Sequence, residues 1–189
     1  MTFTKDPYIS AGFSALTQKS WRNFELMDLA AIMQQPLHII KSLFPTKYAW
    51  MAHVHHHLDT VCFDALEGIE TPRDRVIEFF LMRLEALGEE HKQAVAIILD
   101  GLKKDPVLIK QSGVRTFETM LRLCDHLSGT AFVFRQVKAG YLSTIWPMIL
   151  CEWIQDKSKD QARTYKKIDD YLAQGERLMT ITSAFGRPF

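Results

Sequence analysis

Apolar residues recur at helical spacing along most of this chain, and this periodicity constrains the fold more than any other feature. Val95, Ile98 and Leu102 fall at positions i, i+3 and i+7, which places them on one face of a helix. No segment alternates apolar and polar residues with period two, and no Asn-Gly hairpin turn occurs. The pattern therefore predicts an all-α protein.

Proline, glycine and small polar residues divide the helical pattern into nine segments. Three short helices are expected within roughly the first 45 residues, because Pro7 can begin the first, Pro36 separates the second from the third, and Pro45 ends the third. Six longer helices follow, and Thr46 can cap the first of them. The tail, residues 180–189, has no helical pattern, and we expect it to be irregular.

Charge is balanced overall but not evenly distributed. The 189 residues carry 23 Lys and Arg against 22 Asp and Glu, a formal net charge of +1. This balance excludes a globally basic nucleic-acid coat and an acidic solvating tail. Residues 1–50 carry five basic and three acidic side chains, a net charge of +2, and the remainder carries −1. The length fits one domain, or a small domain fused to a larger one.

The cysteine pattern and the apolar segments predict a cytoplasmic protein. Cys62, Cys124 and Cys151 are far apart and form no CxxC pair, which argues against a disulfide framework or a zinc ribbon. The N-terminal ten residues lack the apolar segment of a signal peptide. The longest apolar stretch, residues 141–154, is interrupted by a proline and a glutamate and is too short to span a bilayer. We therefore expect no integral membrane association.

Residues 26–43 have the layout of a helix-turn-helix. A short amphipathic helix is followed by a tight turn at Gln34-Gln35-Pro36 and by a second short helix over Leu37–Leu43, which could enter a major groove. The pattern also fits any small helical subdomain, so the residues alone leave both interpretations open. The residues expected to close a small core here are Phe13, Leu16, Leu26, Leu29, Ala30, Ile40 and Leu43.

Two motifs add a resemblance to a known family. The run from Trp21 to Ala30, and Leu43-Phe44-Pro45-Thr46-Lys47 at the end of the third helix, resemble the N-terminal domain of TetR-family transcriptional regulators. The nine-helix layout is similar to that family along essentially the whole chain. The resemblance implies a TetR-like homodimer with a three-helix DNA-binding domain at residues 1–48. A C-terminal bundle of about six helices, residues 49–189, would form the dimer interface and a pocket for a small apolar ligand.

The same resemblance implies which residues meet operator DNA. Two positions depart from the family: Gln34 stands where Gly is usual in the turn, and Lys41 stands where Tyr is usual on the recognition helix. A positive φ at Gln34 would favour glycine. The side chains expected to face the groove are Leu37, His38, Lys41 and Ser42, and those expected on the DNA backbone are Gln34, Gln35, Lys47 and Tyr48.

A second resemblance lies in the C-terminal half. The segments 83–87, 91–95 and 153–160 are similar to COQ9-like proteins of ubiquinone biosynthesis. The resemblance implies an alternative function, a lipid- or isoprenoid-binding accessory protein in which the helix-turn-helix is vestigial. That family carries an additional amphipathic C-terminal helix, and we expect residues 180–189 to be too short for it.

Aromatic and methionine residues of the C-terminal segments are candidates for an apolar ligand cavity, although plain core or dimer packing explains them equally well one by one. Pro147 is expected to kink the eighth helix. The residues predicted to line a pocket are Phe80, Leu84, Phe117, Met120, Tyr141 and Trp146.

Four histidines, at positions 53, 55, 56 and 57, form the remaining candidate site. His53 and His57 are at i and i+4 with His56 beside them, a spacing that can chelate a divalent metal. No carboxylate or cysteine follows in register, so we expect no metal site and a partly exposed histidine face near the DNA-binding domain. No phosphate-binding glycine loop and no nucleophile–histidine pairing occurs either. We therefore expect neither enzymatic activity nor a cofactor.

Overall fold

The chain forms an all-α fold, as the periodicity predicts. The computed structural model describes residues 6–66, 68–69, 71–127 and 132–185, and no strand occurs within them. Short 3-10 turns lie at Trp21–Asn23, Glu89–His91 and Lys159–Gln161. The α-helices of the described residues are α1 (Pro7–Leu16), α2 (Leu26–Met33), α3 (Leu37–Leu43), α4 (Lys47–Ala65), α5 (Pro72–Leu87), α6 (Lys92–Leu102), α7 (Pro106–His126), α8 (Phe132–Gln155) and α9 (Ala162–Phe185).

The helix boundaries follow from the capping residues. The carboxylate of Asp6 accepts hydrogen bonds from the first backbone N–H groups of α1 at 2.8 and 3.1 Å. Thr46 Oγ1 accepts the N–H of Ala49 at the start of α4, and Thr71 Oγ1 accepts the N–H of Asp74 in α5. Each cap satisfies donors that have no partner inside the helix. The predicted starts of α1 and α4 are confirmed.

Two local predictions are wrong. The segment 180–185 was expected to be irregular, but α9 continues to Phe185. It contains no glycine or proline, so a helix already formed upstream propagates through it at low cost. Leu43 was expected in the small core, but it is 49% exposed while Phe44 is buried. Ile40 and Phe44, four residues apart, set the buried face and turn Leu43 outward.

One continuous core joins the first three helices to the rest of the bundle. Helix α8 packs against α5, α6, α7 and α9, while α1 packs against both α2 and α6. Trp50 of α4 is fully buried and contacts the rings of Phe13 and Phe24 at 5.9 and 5.1 Å between centroids. The expected boundary between residues 48 and 49 therefore falls inside α4 and next to shared core.

Candidate nucleic-acid interface and internal cavity

The turn between α2 and α3 adopts the conformation that favours glycine. Gln34 has φ 53° and ψ 36°, in the left-handed region. Its N–H and that of Gln35 donate to the carbonyls of Ala31 and Ala30 at 3.3 and 3.0 Å, which satisfies the end of α2. The two backbone N–H groups of the turn are thus hydrogen-bonded, but the non-glycine residue at position 34 carries backbone strain.

Helix α3 presents a polar face to solvent. His38, Lys41 and Ser42 are exposed, and Leu37 is half-buried. Ile40 anchors the opposite face in the core. Three of the four side chains predicted to face a groove are therefore accessible, and the fourth lies at the edge of the core.

A shallow groove of about 370 Å³ lies beside α3. The side chains of Arg22, Lys41 and Lys47 line it together with Glu25. Within the described chain, no carboxylate lies within ion-pair distance of Arg22 or Lys41, whereas Lys19 is paired with Asp28 at 2.5 Å. The groove therefore concentrates the positive charge of residues 1–50, and a phosphate would meet unpaired cations there.

Lys47 and Tyr48 direct their polar atoms inward. Lys47 Nζ donates to the carbonyls of Trp21 and Arg22 at 2.9 and 3.3 Å. It also lies 5.0 Å from the centre of the Trp21 ring, and burial lowers its pKa. The Tyr48 hydroxyl donates to Asp105 Oδ2 at 2.9 Å, and burial together with this bond raises the pKa of Tyr48. Both residues connect the helix-turn-helix to its surroundings.

Asp105 is the centre of that connection. Its Oδ2 also accepts the indole N–H of Trp21 at 2.9 Å, while Oδ1 accepts the N–H groups of Val107 and Leu108 at the start of α7. Burial opposes ionisation, but these hydrogen bonds prevail and hold the pKa of Asp105 below its ordinary value. The N-terminus of α7 is therefore linked to the 3-10 turn before α2 and to α4, the two elements that flank the helix-turn-helix.

A predominantly apolar cavity of about 430 Å³ lies deeper in the bundle, with walls from α4, α5, α6, α7 and α8. Aliphatic side chains from α4, α6 and α8, such as Leu58, Ile98 and Leu150, form much of its surface. Small residues of α7, Ser112 and Gly113, lie on another wall. This volume falls within the range of small-molecule sites.

Of the six residues predicted to line a pocket, Trp146 lines this cavity and the other five lie outside its lining. Phe80, Leu84 and Met120 are fully buried in the core. Phe80 stacks on Trp146 at 5.7 Å, and the hydroxyl of Tyr141 donates to the carbonyl of Tyr171 at 2.5 Å. Phe117 packs at the edge of the core. Large side chains fill space, whereas the small residues of α7 leave it open, and composition alone does not separate the two.

Arg83 was not among the predicted site residues, yet it lines the cavity and is completely buried. Its Nη1 donates to Asp59 Oδ1, and Asp59 Oδ2 accepts the hydroxyl of Thr119 at 2.7 Å. The rings of Phe79 and Trp146 lie 5.4 and 5.1 Å from its Cζ atom. Nε and Nη2 have no hydrogen-bond partner among the described residues. Each unpaired buried donor costs about 1–3 kcal/mol, so this arrangement has an energetic penalty.

His55 also lines the cavity. Its side chain is buried, and neither ring nitrogen has a partner within the described part of the chain. Burial, reinforced by Arg83, lowers its pKa to about 4, so it is neutral near pH 7. The prediction of a partly exposed histidine face is therefore wrong for His55. The buried side of α4 continues one turn from Val54 to Leu58, and His55 lies on that side.

The other histidines form no cluster. His53 Nε2 lies 2.8 Å from Asp6 Oδ2, His56 is exposed, and His57 is half-buried. Among the residues that the structure describes, no three His, Cys, Asp or Glu side chains are placed to hold a metal ion.

None of the described helices combines the length and the hydropathy needed to cross a bilayer.

Comparisons with known proteins show the fold. No protein-family model matches the chain, and no curated protein matches it in sequence. A solved structure described as "the putative transcriptional regulator from Pseudomonas aeruginosa PAO1" matches with a TM-score of 0.62 at 14% sequence identity. The match covers 92% of this chain and 90% of that one. This chain is thus similar in its all-α fold, over nearly its whole length, to a protein described as a regulator.

Proposed function

We propose that this protein is a DNA-binding transcriptional regulator of the TetR type that acts as a ligand-responsive homodimer. The observation that carries the proposal is the geometry of α2, the turn and α3. Ile40 and Phe44 anchor α3 to the core, while His38, Lys41 and Ser42 remain exposed. A short helix held in this way is suited to enter a major groove.

The contacts with DNA divide into two kinds. Exposed α3 side chains, His38 and Lys41 above all, meet base edges, and Arg22 meets the phosphate backbone from the groove beside α3. Ser42 Oγ donates to the carbonyl of Ile39 at 2.7 Å and keeps acceptor capacity for a base or phosphate. The net charge of +2 on residues 1–50 is modest, but a dimer doubles it.

A homodimer would present two copies of α3. On α8, Val137 and Met148 are exposed and eleven residues apart, which places them on one face with Thr144 between them. On α9, Tyr165 is also exposed. We assign the dimer contact to these exposed residues of α8 and α9. In the proposed dimer, two-fold symmetry would allow both recognition helices to enter successive major grooves, about 34 Å apart.

Two helices, α4 and α7, connect the cavity to the helix-turn-helix. Helix α4 begins directly after the helix-turn-helix and carries His55 on the cavity wall. Helix α7 carries Ser112 on the same wall and follows its N-cap Asp105, whose carboxylate accepts the hydroxyl of Tyr48. A ligand that separates α4 from α7 would favour a dimer state whose recognition helices no longer match the operator.

The comparisons do not favour the COQ9-like alternative.

The regulator proposal is tested by a mobility-shift assay at low salt, with DNA from the region upstream of the protein's own gene. We expect a discrete complex that Lys41→Ala weakens and that Lys166→Ala, on exposed α9 surface, leaves unchanged. Absence of a complex with the wild-type protein would overturn the proposal.

A further inference from the structure

The unpaired donors of Arg83 form one binding edge. Nη1 is held by Asp59, which leaves Nε and Nη2 without acceptors in the described structure. The N–H of Nε and one N–H of Nη2 lie in the guanidinium plane and point in the same direction from one edge of the group. This edge matches the two oxygens of a carboxylate.

His55 supplies a further donor on the same cavity wall. It lies four residues before Asp59 on α4, so His55 and Asp59 share one helix face toward Arg83. The neutral imidazole always carries one N–H donor, and neither of its nitrogens is used within the part of the chain described. Arg83 and His55 both line the cavity, and behind its surface they hold three buried donors that have no protein acceptor within the described part of the chain.

The remainder of the cavity is suited to an apolar body. Leu58, Val95, Ile98 and Leu150 line it, and no carboxylate side chain does. Asp59 already neutralises the charge of Arg83, so the pair itself needs no counter-ion. What the site lacks is hydrogen-bond acceptors, and an apolar molecule with one carboxylate provides them.

We propose that this cavity binds a monocarboxylic acid with an apolar chain, its carboxylate on the Nε–Nη2 edge of Arg83 and on His55. The acid would be the effector of the regulator, so its regulatory role rests on the proposed function above. The four nitrogens have no solvent contact. Binding therefore requires a side-chain movement, and Trp146, which lines the cavity against Arg83, is placed to make it.

Binding should also change the protonation of His55. The charged groups that act on this imidazole are Arg83, Asp59 and Arg115. A carboxylate added beside them favours the imidazolium form, because an opposite charge stabilises it. Binding would therefore raise the pKa of His55.

The test is isothermal titration calorimetry of the full chain with decanoate and with decanol, which has the same chain length and no carboxylate. We expect decanoate to bind at least about tenfold more tightly than decanol, since charge-assisted bidentate hydrogen bonds form only with the acid. Arg83→Gln should remove this preference and His55→Gln should reduce it, while decanol binding persists in both variants. Arg122→Gln, on exposed α7 surface, is the matched control and should behave as wild type.

Several results would overturn the assignment. These are equal affinity for decanoate and decanol, no binding of decanoate, or an unchanged preference in a folded His55→Gln variant. Because Arg83→Gln leaves Asp59 unpaired and can fail to fold, the His55 variant decides in that case. Binding of decanoate without an effect on operator affinity would refute the effector role alone. If the wild-type protein does not bind the operator, the proposed function is refuted, but the assignment of the acid site is unaffected.

Discussion

The hydroxyl of Tyr48 donates a 2.9 Å hydrogen bond to the carboxylate of Asp105, which joins the first turn of α4 to the first residue before α7. The same carboxylate oxygen accepts the indole N–H of Trp21. These bonds therefore join α7 to the 3-10 turn and to α4, which flank the helix-turn-helix, and α4 and α7 carry much of the cavity wall. In the proposed regulator, a movement at the cavity would reach the helix-turn-helix through these bonds.

Tyr48→Phe tests this connection. Removing the hydroxyl leaves an ionised acceptor with one partner fewer, so the free energy of unfolding should fall by about 1–3 kcal/mol. Urea denaturation measures this change, and Tyr8→Phe, at a half-buried position of α1, is the control. The operator affinity of the Tyr48 variant should also respond less to ligand. Equal stability and an equal ligand response in wild type and Tyr48→Phe would contradict the connection.

Gln34→Gly should stabilise the protein. The left-handed backbone at this position costs a non-glycine residue about 1 kcal/mol, and glycine removes most of that strain. Gln35→Gly is the matched comparison: its φ is not positive, so the added chain entropy should destabilise the protein. Denaturation midpoints measure both. A lower midpoint for Gln34→Gly than for wild type would show that strain at the turn is not significant.

Gly101→Ala should destabilise the junction between α6 and the 3-10 turn at Trp21–Asn23. A Cβ atom at Gly101 would lie 2.7 Å from the Cβ and Cγ atoms of Trp21, well inside van der Waals contact. We expect a loss of about 1–3 kcal/mol. Gly140→Ala, in α8 with open space around the added atom, should instead gain up to about 1 kcal/mol from helix propensity. Thermal unfolding of the two variants should move the midpoint in opposite directions.

Stability should fall as the pH is lowered toward 4, and His55 is the cause. Its pKa is about 4 in the folded chain against an ordinary value of 6.5, because burial and Arg83 oppose the charged form. The unfolded chain therefore binds more protons in this interval, and the free energy of unfolding falls by about 1.4 kcal/mol per pH unit below pH 6.5. His55→Gln should remove this component. A pH profile that is identical in the variant would contradict the buried neutral histidine.

The sequence predicted the parts of the fold that depend on local chemistry. Helix α1 begins at Pro7, Thr46 caps α4, and α3 covers Leu37–Leu43, each as predicted. Such boundaries depend on neighbouring residues only. The TetR-type function, the homodimer and the DNA contacts remain predictions.

The cavity could not be predicted in the same way, because its walls come from helices distant in sequence. Arg83 did carry a signal. On α5 it lies three residues after Phe80 and four before Leu87, both buried, so a charged residue interrupts an apolar face. A charge at such a position needs a partner inside the protein, and Asp59 is that partner. His55 gave no comparable signal, since its neighbours at 53, 56 and 57 are also histidines.

The central claim is sequence-specific DNA binding by α3, and fluorescence anisotropy with a labelled duplex tests it most directly. The duplex carries the region upstream of the protein's own gene, and a shuffled duplex of equal composition serves as the reference. We predict that wild-type protein prefers the upstream duplex and that His38→Ala combined with Lys41→Ala reduces this preference by about tenfold or more. Equal affinity of wild-type protein for both duplexes across a salt series would contradict the account.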